Sequence, residues 1–157
     1  MLKIPDSIFQ EIRRHGEETY PLECCGVLLG EVDLDVNERR VSLAIRCGNM
    51  RTDSAHNRYL IDDKELLAAQ KTARERGEDI VGFYHSHPDH PAQWSQTDFA
   101  EAHWIGCSYV ITSVEHGQAK ITNSFELAGE TEENKHFADE AVGVMAEVAA
   151  IANESTG

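Results

Sequence analysis

The spacing of apolar residues changes period several times along the chain. Over residues 5–19, Ile8, Phe9 and Ile12 share one face while Glu11, Arg13 and Arg14 lie elsewhere, which predicts an amphipathic helix capped by Asp6 or Ser7. Residues 24–30 form a short apolar run holding two glycines and preceded by Pro21, which predicts a buried strand. Strict alternation follows over residues 40–46, with Val41, Leu43 and Ile45 against Ser42, Ala44 and Arg46, and predicts another strand. Residues 48–57 are polar and read as a loop, and residues 58–61 as a short strand.

A second helix opens at a box-like cap of Asp62 and Glu65, runs through Leu66, Leu67, Ala69 and Ala73, gathers Lys71, Arg74 and Arg76 toward its end and stops at Gly77. Residues 79–85 carry the strand Ile80-Val81-Gly82-Phe83-Tyr84. Residues 95–104 predict a third helix capped by Ser95, with His103 and Trp104 as packing residues on it. Strands over 108–112 and 119–127 flank a turn at Glu115-His116-Gly117, and residues 131–135 are a charged connection. Phe137, Ala141, Val144 and Val148 stand at helical spacing and predict a last helix over 136–151. Interleaved strands and helices, with hairpin-like pairs at both ends, imply an α/β (α+β) domain: a mixed β-sheet flanked by helices.

Length and composition narrow the class. The 157 residues suit one domain spanning 1–157, and 41% hydrophobic content supplies a core without disulfide staples. No stretch of 18 apolar residues and no signal-peptide pattern is evident, so a cytoplasmic protein without a membrane span is expected. Cys24, Cys25, Cys47 and Cys107 contain no CxxC pair and read as buried thiols in a reducing compartment. A net charge of −14 disfavours nucleic acid and anionic lipid as partners, and fits a well-solvated acidic surface or a salt-adapted source.

Candidate chemistry gathers at His85-Ser86-His87-Pro88-Asp89-His90-Pro91-Ala92-Gln93-Trp94-Ser95-Gln96-Thr97-Asp98. Two histidines two apart at the end of a strand project to one side. Pro88 and Pro91 stiffen a loop that returns Asp98, in the first turn of a helix, toward them. Two imidazoles and one carboxylate are a common donor set for catalytic zinc, with a water in the fourth position. Ser95, one turn before Asp98, faces the same region and is equally an N-cap. His-x-His alone is also the mark of ordinary surface or core histidines. His90 reads as a loop histidine or a fourth ligand.

The pattern His-Ser-His, seven residues, Ser, two residues, Asp resembles the signature of the JAMM (MPN-plus) zinc metalloproteases, and His-Ser-His-Pro-Asp-His-Pro-Ala resembles a bacterial subgroup of them. The resemblance extends to Pro21–Gly30, Tyr59-Leu60-Ile61-Asp62, Ile80–Tyr84 and Ser108-Tyr109-Val110-Ile111, and so covers a core of about residues 5–127. It implies a curved, cytidine-deaminase-like mixed sheet. It implies one Zn2+ per chain held by His85, His87 and Asp98, Glu23 as general acid/base on a zinc-bound water, and Ser95 as a catalytic hydroxyl. The implied activity is an isopeptidase or peptidase acting at the C-terminus of a ubiquitin-like or sulfur-carrier protein. The family's non-catalytic scaffold members are the alternative, and a zinc deaminase is disfavoured by the missing Cys-x-x-Cys. Trp94 departs from the subgroup, which has Pro there; it reads either as a wall over a substrate tail or as loop packing.

Overall fold

The computed structural model describes residues 1–50 and 59–146. Its elements are β1 (Leu2–Pro5), α1 (Asp6–Thr19), β2 (Cys25–Asp33), β3 (Glu38–Cys47), α2 (Asp63–Glu75), β4 (Asp79–Pro88), α3 (Gln96–Glu101), β5 (Ser108–Glu115), β6 (Gln118–Ala128), β7 (His136–Glu140) and β8 (Val142–Met145). One eight-stranded sheet has the order β7-β6-β5-β4-β2-β3-β1-β8. It is mixed, as expected: β4 runs parallel to β5, and β1 parallel to β3 and β8, while the remaining neighbours are antiparallel.

Alternation along β2 makes the two sides of the core. Cys24 and Leu28 face α1, where Ile8, Phe9 and Ile12 meet them together with Val81 and Tyr84. Cys25, Val27 and Leu29 face α2, whose Leu66, Ala69 and Ala73 close over them with Phe83. Each fully buried aliphatic side chain stabilises the fold by about 1.5–3 kcal/mol. All four cysteines are free and buried, as their reading as small hydrophobes predicts, and burial pushes the Cys24 thiol up to about 11. At Gly26 a Cβ would lie 2.1 Å from the Tyr84 ring, so the close approach of that ring requires glycine.

Several expectations are corrected. Residues 136–146 hold two strands in place of the expected helix, whose remaining residues 147–151 lie outside the described residues. Phe137 pairs with Leu127 and buries its ring against Tyr109 and Phe125, and β8 supplies β1 with its second neighbour. Long-range pairing with two open strands outweighs an apolar spacing of a few helical turns. β7 and β8 are separated by Ala141 alone yet lie at opposite ends of the strand order, so one continuous segment joins both edges and curls the sheet onto itself.

The third helix ends at Glu101 because the buried Lys135 ammonium donates to the carbonyls of Phe99 (3.1 Å) and Ala102 (2.7 Å), drawing the chain off its axis. His103 and Trp104 therefore lie beyond it, the one paired with Glu132 and the other edge-on to Phe83. Tyr59, Leu60 and Ile61 form no strand, and the rest of that expected element and of the loop before it falls on residues 51–58, outside the described residues. α1 is entered from Pro5 without a side-chain cap bond, and Glu65 binds the Gly48 N–H (3.1 Å) instead of completing a box with Asp62. Among the described residues no helix is long and apolar enough to cross a membrane.

Candidate metal centre

β4 carries the two histidines past the end of its neighbour. β2 pairs with it up to Cys25 opposite His85, whereas β5 accompanies it as far as Pro88. Phe83, His85 and His87 share the α2 side of the strand, and Tyr84 and Ser86 the α1 side. The imidazoles converge: His85 Nε2 and His87 Nε2 are 3.1 Å apart. Asp98 bridges them, with Oδ1 3.3 Å from His85 Nε2 and Oδ2 3.1 Å from His87 Nε2. The loop folds back as its two prolines suggest. His87 Nδ1 donates to the Pro91 carbonyl 2.8 Å away, which orients the ring with Nε2 directed into the site.

Ser95 and Asp98 form a reciprocal capping box: the Asp98 N–H donates to Ser95 Oγ (3.0 Å), and the Ser95 N–H donates to Asp98 Oδ2 (2.9 Å). The Ser95 hydroxyl thus accepts and keeps its own proton for another partner. Glu23 precedes β2 and is 3% exposed, and one of its carboxylate oxygens lies within 4.8 Å of both histidine donors. All the residues expected at the site except His90, an exposed loop residue, are brought together.

Electrostatics divides the two carboxylates. Burial opposes ionisation of Asp98, but hydrogen bonds from both imidazoles and the Ser95 N–H overturn it and hold the carboxyl far below its usual range. Among the described residues no such bond offsets burial at Glu23, and burial pushes its carboxyl up to about 8. Burial lowers His85, whereas at His87 the Asp98 carboxylate outweighs burial and raises it.

Glu23 Oε1 and His85 Nδ1 are buried with no hydrogen-bond partner among the described residues. An orphaned carboxylate oxygen beside two converging imidazole nitrogens fits a bound cation, which satisfies such atoms where no protein donor does. Nitrogen and carboxylate donors in this number suit zinc.

Two neighbours were not anticipated. The Tyr59 ring stacks on His85 at 4.4 Å between centroids, and its position inside the segment Tyr59–Asp62 was the signal available. Beside it runs a largely apolar groove lined by Tyr59, Ile61, Leu66, Phe83, Trp104 and Tyr109. Trp94 resolves to loop packing, its ring lying 5.6 Å from Phe99 and 5.4 Å from Phe137.

Comparison with known proteins agrees with this geometry. Residues 5–128 match the sequence model of the prokaryotic homologs of the JAB domain. A desampylase of Haloferax volcanii is 35% identical over 108 residues, which is 69% of this chain and 74% of that protein. A probable TtuB-protein conjugate cleaving protease of Thermus thermophilus is 33% identical over 104 residues, 66% of this chain and 65% of that one. Two solution structures are similar throughout. One, from Salinibacter ruber, has 40% identity, TM-score 0.68 and coverage of 91% of both chains. The other, from Desulfitobacterium hafniense, has 27% identity, TM-score 0.74 and coverage of 94% of this chain and 96% of that one.

Proposed function

The chain belongs to the family of prokaryotic homologs of the JAB domain, and from that membership we propose a zinc-dependent isopeptidase or peptidase that hydrolyses amide bonds at the C-terminus of a small ubiquitin-like or sulfur-carrier protein. The names of the two relatives, a desampylase and a protease that cleaves protein conjugates, support that substrate class. The observation that carries the chemistry is the convergence of His85, His87 and Asp98 beside the orphaned Glu23 carboxylate.

In this reading His85 Nε2, His87 Nε2 and an Asp98 oxygen hold the metal. A zinc ion there supplies Lewis acidity, polarising a carbonyl and bringing the pKa of water to about 7. Every other task falls to the chain. Glu23, buried beside the two imidazoles, removes a proton from the attacking water and delivers it to the leaving amine. Ser95 Oγ–H, unused in the capping box, donates to the oxygen that gains charge as the carbonyl carbon becomes tetrahedral. Asp98 stays ionised and is held in place by the Ser95 N–H. The apolar groove beside Tyr59 receives the extended tail leading to the scissile bond.

Glu23→Gln separates proton carrier from ligand. With a ubiquitin-like protein whose C-terminal Gly-Gly is amide-linked to a reporter, the variant loses about 10²- to 10⁴-fold in turnover and keeps one zinc per chain. Loss of zinc would make Glu23 a ligand, and wild-type turnover would send the proton elsewhere. A zinc-loaded wild-type enzyme that leaves every such fusion intact while cutting unrelated short peptides would refute the substrate class.

A further inference from the structure

Ser86 lies between the two histidines but points the opposite way. It is completely buried on the α1 side of β4. There its Oγ accepts a 2.8 Å hydrogen bond from the Cys24 N–H, the amide next to Glu23. In the other direction the Ser86 N–H donates to the Cys24 carbonyl at 3.2 Å. An antiparallel pair of this kind ordinarily exchanges two backbone bonds. Here the second is made to the serine side chain instead of its carbonyl, and the regular β2–β4 register stops one pair earlier, at Cys25 opposite His85.

The substitution of hydroxyl for carbonyl ends the ladder and sets the point at which the chain carrying Glu23 leaves it. Ser86 cannot retreat from this position. Gly16 of α1 packs directly behind it, where a Cβ would lie 3.2 Å from Ser86 Cβ and 3.0 Å from Val114 Cγ2. The same Glu23–Cys24 peptide is held at its other end, the Glu23 carbonyl, by Asn49 Nδ2 (3.4 Å), and on the far side of Glu23 the Leu22 N–H donates to the Thr19 carbonyl (2.9 Å). The Glu23 carboxylate has an oxygen, Oε1, without any hydrogen-bond partner among the described residues, so the course of its backbone has a large share in aiming it.

We infer that Ser86 is a positioning residue: its buried hydroxyl, by capturing the Cys24 N–H at the end of the β2–β4 ladder, aims the Glu23 carboxylate at the site formed by His85 and His87. This rests on the reading of Glu23 as proton carrier. Misplacement of a reacting group by about 1 Å costs on the order of 100-fold in rate, so the hydroxyl has leverage although it touches neither substrate nor metal.

The test uses two variants of matched shape, Ser86→Thr, which keeps the hydroxyl, and Ser86→Val, which lacks it. In the full chain loaded with zinc, and with the Gly-Gly-linked reporter substrate, Ser86→Val lowers kcat about 10- to 100-fold with KM within about twofold, and Ser86→Thr restores most of it. In a Glu23→Gln background, Ser86→Val costs less than about threefold more, because there is no carboxylate left to aim. Independently of turnover, the Cys24 amide hydrogen exchanges at least about tenfold faster in Ser86→Val than in Ser86→Thr. Equal kcat and equal exchange in the Thr and Val variants would overturn the inference. So would a full additive loss in the Glu23→Gln background, which would mark Ser86 as merely structural. If Glu23→Gln alone retains wild-type turnover, the reading of Glu23 has failed, and the Cys24 exchange rates still decide whether the hydroxyl holds the strand end.

Discussion

Two buried polar clusters lie in this sheet, one at the end of β4 and one where the sheet closes, and they are built on opposite rules. At the closure Arg39 of β3 is 3% exposed and saturated: its guanidinium donates to the Gly106 carbonyl (2.6 Å), to Glu140 of β7 (3.2 Å) and to Glu126 of β6. The N-terminal amine lies 3.7 Å from the same Glu140, and the Leu2 N–H binds the Ala141 carbonyl, so β1, β3, β6 and β7 meet around one cation. At the end of β4, by contrast, a carboxylate oxygen and a ring nitrogen have no partner among the described residues, while two imidazole nitrogens face each other. A satisfied cluster resists change because every loss strands a buried charge. An unsatisfied one stores binding capacity, since the missing partner comes from solution. The first fastens the fold, and the second is where the proposed function places the metal and the substrate.

Breaking the saturated cluster carries the largest expected effect on stability. Arg39→Met leaves the half-buried Glu126 and Glu140 carboxylates without their cation and costs about 3–5 kcal/mol in urea unfolding, while zinc stoichiometry in the folded fraction stays at one. The metal cluster behaves inversely. Zinc at about 100 times its Kd stabilises the wild type by about 2.7 kcal/mol. His87→Ala and Asp98→Ala lose that gain, read as the shift in Tm with zinc, and Asp98→Ala also opens the α3 capping box and lowers the zinc-free stability. Full zinc occupancy in the double variant would refute the ligand assignment.

Trp94 sharpens the boundary between the two. Its ring packs on Phe99 and Phe137, so Trp94→Ala lowers stability by about 2 kcal/mol through lost packing. The effect shows in unfolding, and a rise in KM without loss of stability would return Trp94 to the substrate.

The smallest effect is the acid limb of stability. Burial alone would raise the Glu126 carboxyl, and its bond to Arg39 reverses that, so its folded value is depressed. A group depressed on folding stabilises above the unfolded carboxylate value, about 4.3, and loses that contribution as pH falls through the folded value. Glu126→Gln therefore flattens the decline of stability below about pH 5 by an amount on the order of 1 kcal/mol. A decline as steep as in the wild type would assign it to other carboxylates.

How much of this was legible in the chain depends on the range of the interaction. α1, α2 and β2 to β6 were readable because burial on one side imposes a period of 3.6 or 2 on neighbouring residues. The spacing of His85, His87, Ser95 and Asp98 was readable because strand alternation, a stiff loop and a helix cap act within fourteen residues. Glu23 was legible only by resemblance, since nothing local distinguishes it among 28 acidic residues. Only the tertiary structure decided the rest. It buried Glu23 beside the imidazoles, stacked Tyr59 on His85 and turned Trp94 inward. It also converted the apolar spacing after His136 into β7 and β8. That segment's sequence suits a helix, but β6 and β1 each needed a neighbour, and a strand satisfies open backbone groups on both where a helix would satisfy only its own.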